Sequence, residues 1–168
     1  MGIDNPKIAL VNNGAEEHKG TPLQQETYKA LKNDASLNFI GNIEGRDIPK
    51  GEADVIIADG FTGNVVLKMC EGAGWLVKSC LNRLFKRNLL SKIAYIFASG
   101  SIKQLSREMD YSVYGGAPFL GVAKPVIKAH GSANYVSVAA CIGQAERYAQ
   151  SGMIEDIAAM AQKSDTEN

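Results

Sequence analysis

Short apolar runs alternate with longer stretches of helical spacing along this chain. Lys7 to Val11 (KIALV) is the first run, Leu37 to Ile40 the second and Val55 to Ala58 the third; each reads as a buried strand. Two further short strands, Phe119 to Val122 and Val126 to Ala129, flank Lys124-Pro125. Thr21 and Pro22 mark a helix start, with Thr as N-cap and Pro in the first turn, and Leu23, Thr27, Tyr28 and Leu31 carry helical spacing to Asn33. Helical pattern returns from Asn64 to about Arg87, from about Leu89 to Arg107, from Ser132 to Gln150 and from Met153 to Gln162. Strands that alternate with helices predict an α/β domain with a largely parallel sheet. The expected organisation is one α/β domain over residues 1–163, a helical hairpin over about 64–107, and a polar tail at 164–168.

Parallel sheets bind ligands at the carboxyl ends of their strands. Four polar, glycine-containing clusters follow the predicted strands: Asn12-Asn13-Gly14; Gly41-Asn42 with Glu44 to Asp47; Asp59 to Asn64; and His130-Gly131-Ser132. The predicted connectivity brings all four to one edge. Asn13 and Ser132 then count among the residues that line a ligand site.

The stretch ADVIIADGFTGNVVLK, Ala53 to Lys68, carries the most chemistry. Its strand breaks at Asp59-Gly60, and a helix is expected to restart at Gly63-Asn64. A helix N-terminus presents unpaired N–H groups and partial positive charge to an anion. Asn64 and Lys68, four apart, share a helix face there. The pattern reads as a phosphate or acyl-phosphate site, or else as a capped helix with a surface lysine.

Other candidates divide in the same way. Lys19 can supply a second cation for phosphate, or belong to a charged loop with Glu16, Glu17 and a surface His18. Arg46 suits a phosphate fork, whereas Asp47 reads as structural. His130 is either a ring held at a strand end or a general acid or oxyanion donor. Tyr111 to Pro118 is a glycine-rich segment, either a mobile loop over the cleft or a connector. The chain lacks a G-x-S-x-G elbow and a G-x-G-x-x-G, so neither a serine hydrolase nor a nicotinamide dehydrogenase is supported.

Composition narrows the class. Lys plus Arg and Asp plus Glu both number 18, which offers no support for nucleic-acid binding. Cys70, Cys80 and Cys141 have no metal-ligand spacing and are expected as small buried hydrophobes in a reducing compartment. No signal sequence or apolar run of about 20 residues is present, which predicts a cytoplasmic protein. The middle third is unusual: from Gly72 to Ser106 there is no acidic residue, while Trp75, Leu89, Leu90, Ile93 and Phe97 mix with Lys78, Arg83, Lys86 and Arg87. Such a pair of helices packs on a partner subunit, presents a basic, apolar tip near Arg87 to Tyr95 to an anionic membrane, or does both.

Five segments, NNGAEEHKG, FIGNIEGRDI, ADVIIADGFTGNVVLK, YGGAPFLGV and VIKAHGSAN, together resemble the PlsX family of phosphate acyltransferases. The resemblance implies a three-layer fold of the isocitrate/isopropylmalate dehydrogenase-like (phosphate acetyltransferase-like) type. It also implies a homodimer with a protruding helical pair that touches membrane, which places the protein peripherally at a membrane. The implied reaction converts acyl-acyl carrier protein and inorganic phosphate into acyl phosphate and free carrier protein, in phospholipid synthesis. The family's active-site lysine and asparagine fall on Lys19 and Asn64. Family members are roughly twice as long, so the chain corresponds to their C-terminal half and Met1 reads as a fragment start.

The thioester is already activated, so neither a covalent enzyme intermediate, a metal nor an organic cofactor is expected. Gly63, Asn64, Lys68 and Lys19 would hold phosphate against the carbonyl, and His130 would protonate the leaving thiolate. Two alternatives stand beside this one: a non-catalytic dimerising and membrane-docking fragment, and a phosphate acetyl- or butyryltransferase that uses coenzyme A.

Overall fold

Ile8–Asn12 forms the central strand, β1, because its residues are apolar enough to be covered on both faces, and Ala9, Leu10, Val11 and Asn12 are all buried. The structure is a computed structural model. It describes the backbone of residues 3–108, 115–131 and 133–166, and the side chains of 3–107, 115–131 and 133–162. The chain divides into two compact units, Met1–Arg83 and Leu84–Asn168.

In the first unit β1 is flanked by β2, Phe39–Glu44, and β3, Val55–Ile57, in the order β2-β1-β3. Both pairings are parallel; Asn12 stands opposite Glu44, and Leu10 opposite Ile57. The expected α/β class with a parallel sheet is therefore present. β2 is longer than its Leu37 to Ile40 run suggests, because Gly41 does not end it. Gly41 takes φ +100° at a bulge, where the register skips from Ile8 opposite Phe39 to Ala9 opposite Gly41. Ala9, Val11 and Ile43 form the core, with Ile48, Ala53, Ile56, Ala58 and Val66 packed against it. Burying side chains such as Val11 and Ile43 contributes about 2 kcal/mol each.

α1, Pro22–Asn33, begins as the sequence predicts, after Thr21 in extended conformation and with Pro22 in the first turn. It rests on the sheet through Tyr28, whose ring meets Phe39 edge-on at 5.2 Å. α2, Gly60–Lys86, starts one turn earlier than the expected Asn64. Asp59 is the reason. Its Oδ1 accepts the N–H groups of Phe61 (2.9 Å) and Thr62 (2.8 Å), and its Oδ2 accepts the Thr62 hydroxyl (2.6 Å). A carboxylate in that position caps the helix before the two glycines can act as turn residues.

In the second unit α3, Leu89–Glu108, is capped by Asn88, whose Oδ1 accepts the Ser91 N–H at 2.8 Å. The rings of Phe85 and Tyr95 meet across the link at 5.4 Å. The expected strand at 119–122 is absent and a two-residue strand, β4, Ala117–Pro118, lies just before it, while the one expected at 126–129 shrinks to β5, Ile127–Lys128; the two form an antiparallel pair in a sheet of their own. Pro125 lacks an N–H for a ladder, and Gly121 turns the chain at φ +74°. α4, Tyr135–Gln150, is capped by Asn134, whose Oδ1 accepts from Val136 N (2.9 Å) and Ser137 N (3.1 Å). The helix expected from Ser132 thus begins at Tyr135, behind the Asn134 cap. Cys141 and Tyr148 are buried on this helix. α5 is Met153–Thr166.

Candidate active site

The parallel order β2-β1-β3 sets three of the four polar clusters at one edge of the first unit's sheet. After β1, the loop from Asn13 to Gly20 is held by side chains. Asn12 Nδ2 donates to the Lys19 carbonyl at 3.0 Å, and Asn12 Oδ1 accepts the Asn13 N–H at 2.8 Å. Gln25 Nε2 donates to the His18 carbonyl (2.8 Å), and Asn42 Nδ2, from β2, to that of Glu16 (2.8 Å). Glu17 pairs with Lys32 of α1, which holds its carboxyl below the usual range and raises the Lys32 ammonium.

Gly20 lies at φ +87°, and a Cβ there would stand 2.7 Å from Asn12 Oδ1 and 2.8 Å from Gln24 Cβ. Lys19 leans over Gly14, where a Cβ would meet its Cγ at 3.0 Å. The lysine is therefore anchored at its backbone and along its stem.

After β2, Arg46 pairs with Glu44 (2.6 Å) and lies 3.8 Å from Asp47, which also takes Lys50 at 2.6 Å. The Arg46 side chain is 79% exposed. Asp47 is structural, as expected: it anchors the 3₁₀ turn Ile48–Lys50.

After β3 the geometry departs from an open helix end. The Phe61 and Thr62 N–H groups are taken by Asp59, and that of Gly63 donates to the Asp59 carbonyl at 2.9 Å. Gly63 and Asn64 sit one turn inside α2, and Lys68 a further turn on, paired with Glu71 at 2.8 Å. The Thr62 hydroxyl foremost, with the Thr62 and Phe61 N–H groups, holds the Asp59 carboxyl below its ordinary range. An anion at this edge meets side chains rather than bare N–H groups, beside a cap that is already negative. Asn64 and Lys68 are exposed, and Asn13 is exposed at the end of β1.

His130 belongs to the second unit. It is exposed after β5, and its carbonyl accepts the Ala133 N–H at 2.9 Å. Ser132 lies outside the described residues, as do 111–114 of the glycine-rich segment. Cys70 and Cys80, expected inside, are exposed on α2, since no residue of that helix is buried; Cys141 is buried as predicted. Sequence reasoning missed Asn12, Gln24, Gln25, Asn42 and Asp59 as the frame. The available signals were an aspartate just before a helix and an asparagine closing an apolar strand. Among the described residues no cluster of His, Cys, Asp and Glu is arranged to hold a metal ion.

Residues 1–156 match the family model described as Fatty acid synthesis protein. The chain belongs to that family. It is 48% identical over 157 residues to a phosphate acyltransferase of Thermoanaerobacterium thermosaccharolyticum, covering 94% of this chain and 47% of that protein. A phosphate acyltransferase of Caldanaerobacter subterraneus subsp. tengcongensis is 42% identical with the same coverage. One from Clostridium perfringens is 43% identical over 92% of this chain and 45% of its own length. The resemblance read from the five segments is confirmed, and the chain spans about half the length of the curated relatives it matches. In this member of the Fatty acid synthesis protein family, the first unit carries Lys19 and Asn64, and the second carries His130.

Proposed function

We propose that the chain contributes the phosphate-handling residues of an acyl-carrier-protein:phosphate acyltransferase for phospholipid synthesis. The observation behind this reading is the clamped Lys19 loop at the carboxyl edge of a parallel sheet, beside the first turns of the helix bearing Asn64. Family membership supports the class of reaction. The fold would be that of isocitrate/isopropylmalate dehydrogenases and phosphate acetyltransferases.

In the proposed reaction a phosphate oxygen attacks the thioester carbonyl. The C–S bond breaks, the acyl group leaves as acyl phosphate, and the carrier thiolate takes a proton. Lys19 neutralises the phosphate, and Asn64 donates from its amide to the phosphate or to the oxyanion. Lys68 and Arg46 are secondary cations, each recruited by leaving its carboxylate partner. Because Asp59 occupies the end of α2, side chains carry the binding, with Asn13 and Gly63 shaping the edge. His130 is the proposed proton donor to sulfur. No electron or hydride moves, so the scheme needs neither metal nor organic cofactor.

The exposed apolar residues of α2 and α3, with Leu89 and Leu90 about three-quarters exposed in an acid-free stretch, support docking on an anionic membrane and pairing of two copies. No described helix is long and apolar enough to cross a membrane. The half-length match favours one second reading, a dimerising and docking module without turnover of its own.

The deciding assay incubates the chain with long-chain acyl-carrier protein and phosphate and traps acyl phosphate with hydroxylamine. Product is expected, with Lys19→Ala and Asn64→Ala each lowering turnover by about 10²-fold or more. Turnover unchanged in both variants refutes the site. No product from a chain that still dimerises and binds anionic vesicles establishes the module instead. Loss of vesicle binding after Leu89→Ser/Leu90→Ser supports the docking face, and retained binding removes it.

A further inference from the structure

We infer that Gln24 is a positioning residue that ties the loop bearing Lys19 to the cap of the helix bearing Asn64; the inference rests on the reading of those two as the phosphate-handling pair. Gln24 is the third residue of α1, one turn after Lys19-Gly20-Thr21. Its Oε1 accepts the Thr21 N–H at 3.1 Å and also meets the Thr21 hydroxyl. Its Nε2 donates to Asp59 Oδ2 at 3.1 Å, in a part-buried contact between residues 35 apart in sequence. Asp59 in turn holds Thr62 and Phe61. One side-chain amide therefore joins the starts of α1 and α2.

The chemistry singles out glutamine. At this position of a capping box, Glu and Gln serve the preceding N–H equally well. Only an amide also has a donor for the second partner, which here is a carboxylate. A glutamate would keep the Thr21 half and set two carboxylates against each other. Among the described residues no lysine or arginine pairs with Asp59 to relieve that repulsion: the ion pairs are Lys32 with Glu17, Arg46 with Glu44 and Asp47, Lys50 with Asp47, and Lys68 with Glu71. The remaining groups on Asp59 are the hydroxyl and N–H of Thr62, the N–H of Phe61 and its own backbone N–H. Nor is there slack behind Gln24, because Gly20 leaves no room for a Cβ against Gln24 Cβ and Asn12. Releasing the amide frees the two helix starts to shift, and small displacements of reacting groups carry large rate penalties.

The test compares Gln24→Glu, Asp59→Asn and the double exchange Gln24→Glu/Asp59→Asn in the full chain. Two quantities are read across pH: amide hydrogen exchange over residues 13–20, and the response to inorganic phosphate. The second is measured as turnover or, in a chain without turnover, as phosphate-induced NMR shifts of the Asn64 side-chain amide.

Near pH 8, Gln24→Glu is expected to speed loop exchange at least tenfold and to weaken the phosphate response by 10- to 100-fold, with the unfolding midpoint little changed. As pH falls, the introduced carboxyl takes a proton, donates to Asp59, and both effects recede. The double exchange restores both near pH 8, because its amide and carboxylate have changed places. A single variant with unchanged loop exchange, or a double exchange no better than the single, overturns the clasp. Faster exchange with an unchanged phosphate response, where Lys19→Ala does abolish that response, overturns the positioning role and leaves the proposed function intact. A response insensitive to Lys19→Ala, or turnover insensitive to Asn64→Ala, overturns the functional reading on which the inference rests.

Discussion

Replacing Gly20 with alanine is expected to cost about 3 kcal/mol, and the structure supplies the components. At φ +87° an alanine gives up roughly 1–2 kcal/mol in a left-handed conformation. The new methyl would lie 2.7 Å and 3.0 Å from the two terminal atoms of Asn12, so that amide must move. Its movement gives up the bonds to the Lys19 carbonyl and the Asn13 N–H, at about 0.5–1.5 kcal/mol each. Gly51 provides the control. It has φ +72°, and nothing lies within 4 Å of a Cβ built there. Gly51→Ala therefore carries the conformational component alone, and the loss of unfolded-state freedom, about 0.4–1 kcal/mol in the stabilising direction, cancels between the two variants. Urea titration should place Gly20→Ala about 1–3 kcal/mol below Gly51→Ala. In a thermal melt this is a gap of several degrees, at about 2–4 °C per kcal/mol for a chain of this size. Equal losses in the two variants would show that the Asn12 clamp contributes nothing to the fold.

Asn134→Ala removes the acceptor for two N–H groups at the start of α4 and should cost about 1 kcal/mol in urea titration; a loss within a few tenths would remove its role as cap. Glu17, Asp34 and Asp59 hold their carboxyls below the ordinary range through bonds to Lys32, Ser36 and Thr62, so their contribution is full above the unfolded values and is lost as pH falls through the folded ones. Lys32 and Lys50 are raised by Glu17 and Asp47, so theirs is lost as pH rises through the folded values. The melting midpoint should accordingly hold level between about pH 5, above the carboxylate range, and about pH 10, below the lysine range, and decline on both sides; a midpoint that climbs on acidification below that range contradicts the assignment. A thiol reagent on the native chain should modify Cys70 and Cys80 quickly and Cys141 only on unfolding, and rapid reaction of all three would contradict the burial of Cys141.

The parallel sheet and α1 were legible because their signals are local. Apolar runs mark β1 and β3, and Thr21-Pro22 carries cap chemistry that tertiary packing leaves alone. The start of α2 was misread because Gly60 and Gly63 signal a turn, whereas Asp59 closes the helix ahead of them with three hydrogen bonds. The burial of Cys70 and Cys80 was misjudged for a different reason. Their apolar spacing announces a face to be covered, and sequence does not say whether the cover lies in the same chain. Asn64 and Lys19 stood out as candidates from a strand–turn–helix pattern and a charged loop, and likeness to a family implied their active-site role. The clamps around them did not stand out, because Asn12, Gln24 and Asn42 acquire meaning only from partners 7, 35 and 26 residues away.

The bulge in β2 sets the parity of that strand. Phe39 and Ile43 are four apart and would share a face in a regular strand. Here Phe39 meets Tyr28 of α1, while Ile43 joins Ala9, Val11 and Val66 of α2 on the other side. One inserted residue lets a single strand serve two cores, and it puts Asn42 on the Phe39 side, where it reaches the Glu16 carbonyl. Straightening the bulge with every residue kept would force a choice: Phe39 keeps its place and Ile43 swings out of the core, or Ile43 stays and Phe39 parts from Tyr28; deleting Ile40 instead leaves the two three apart, on opposite faces, and keeps both contacts. The frame around Lys19 thus depends on a phase set at the far end of the neighbouring strand, at the Ile40-Gly41 bulge.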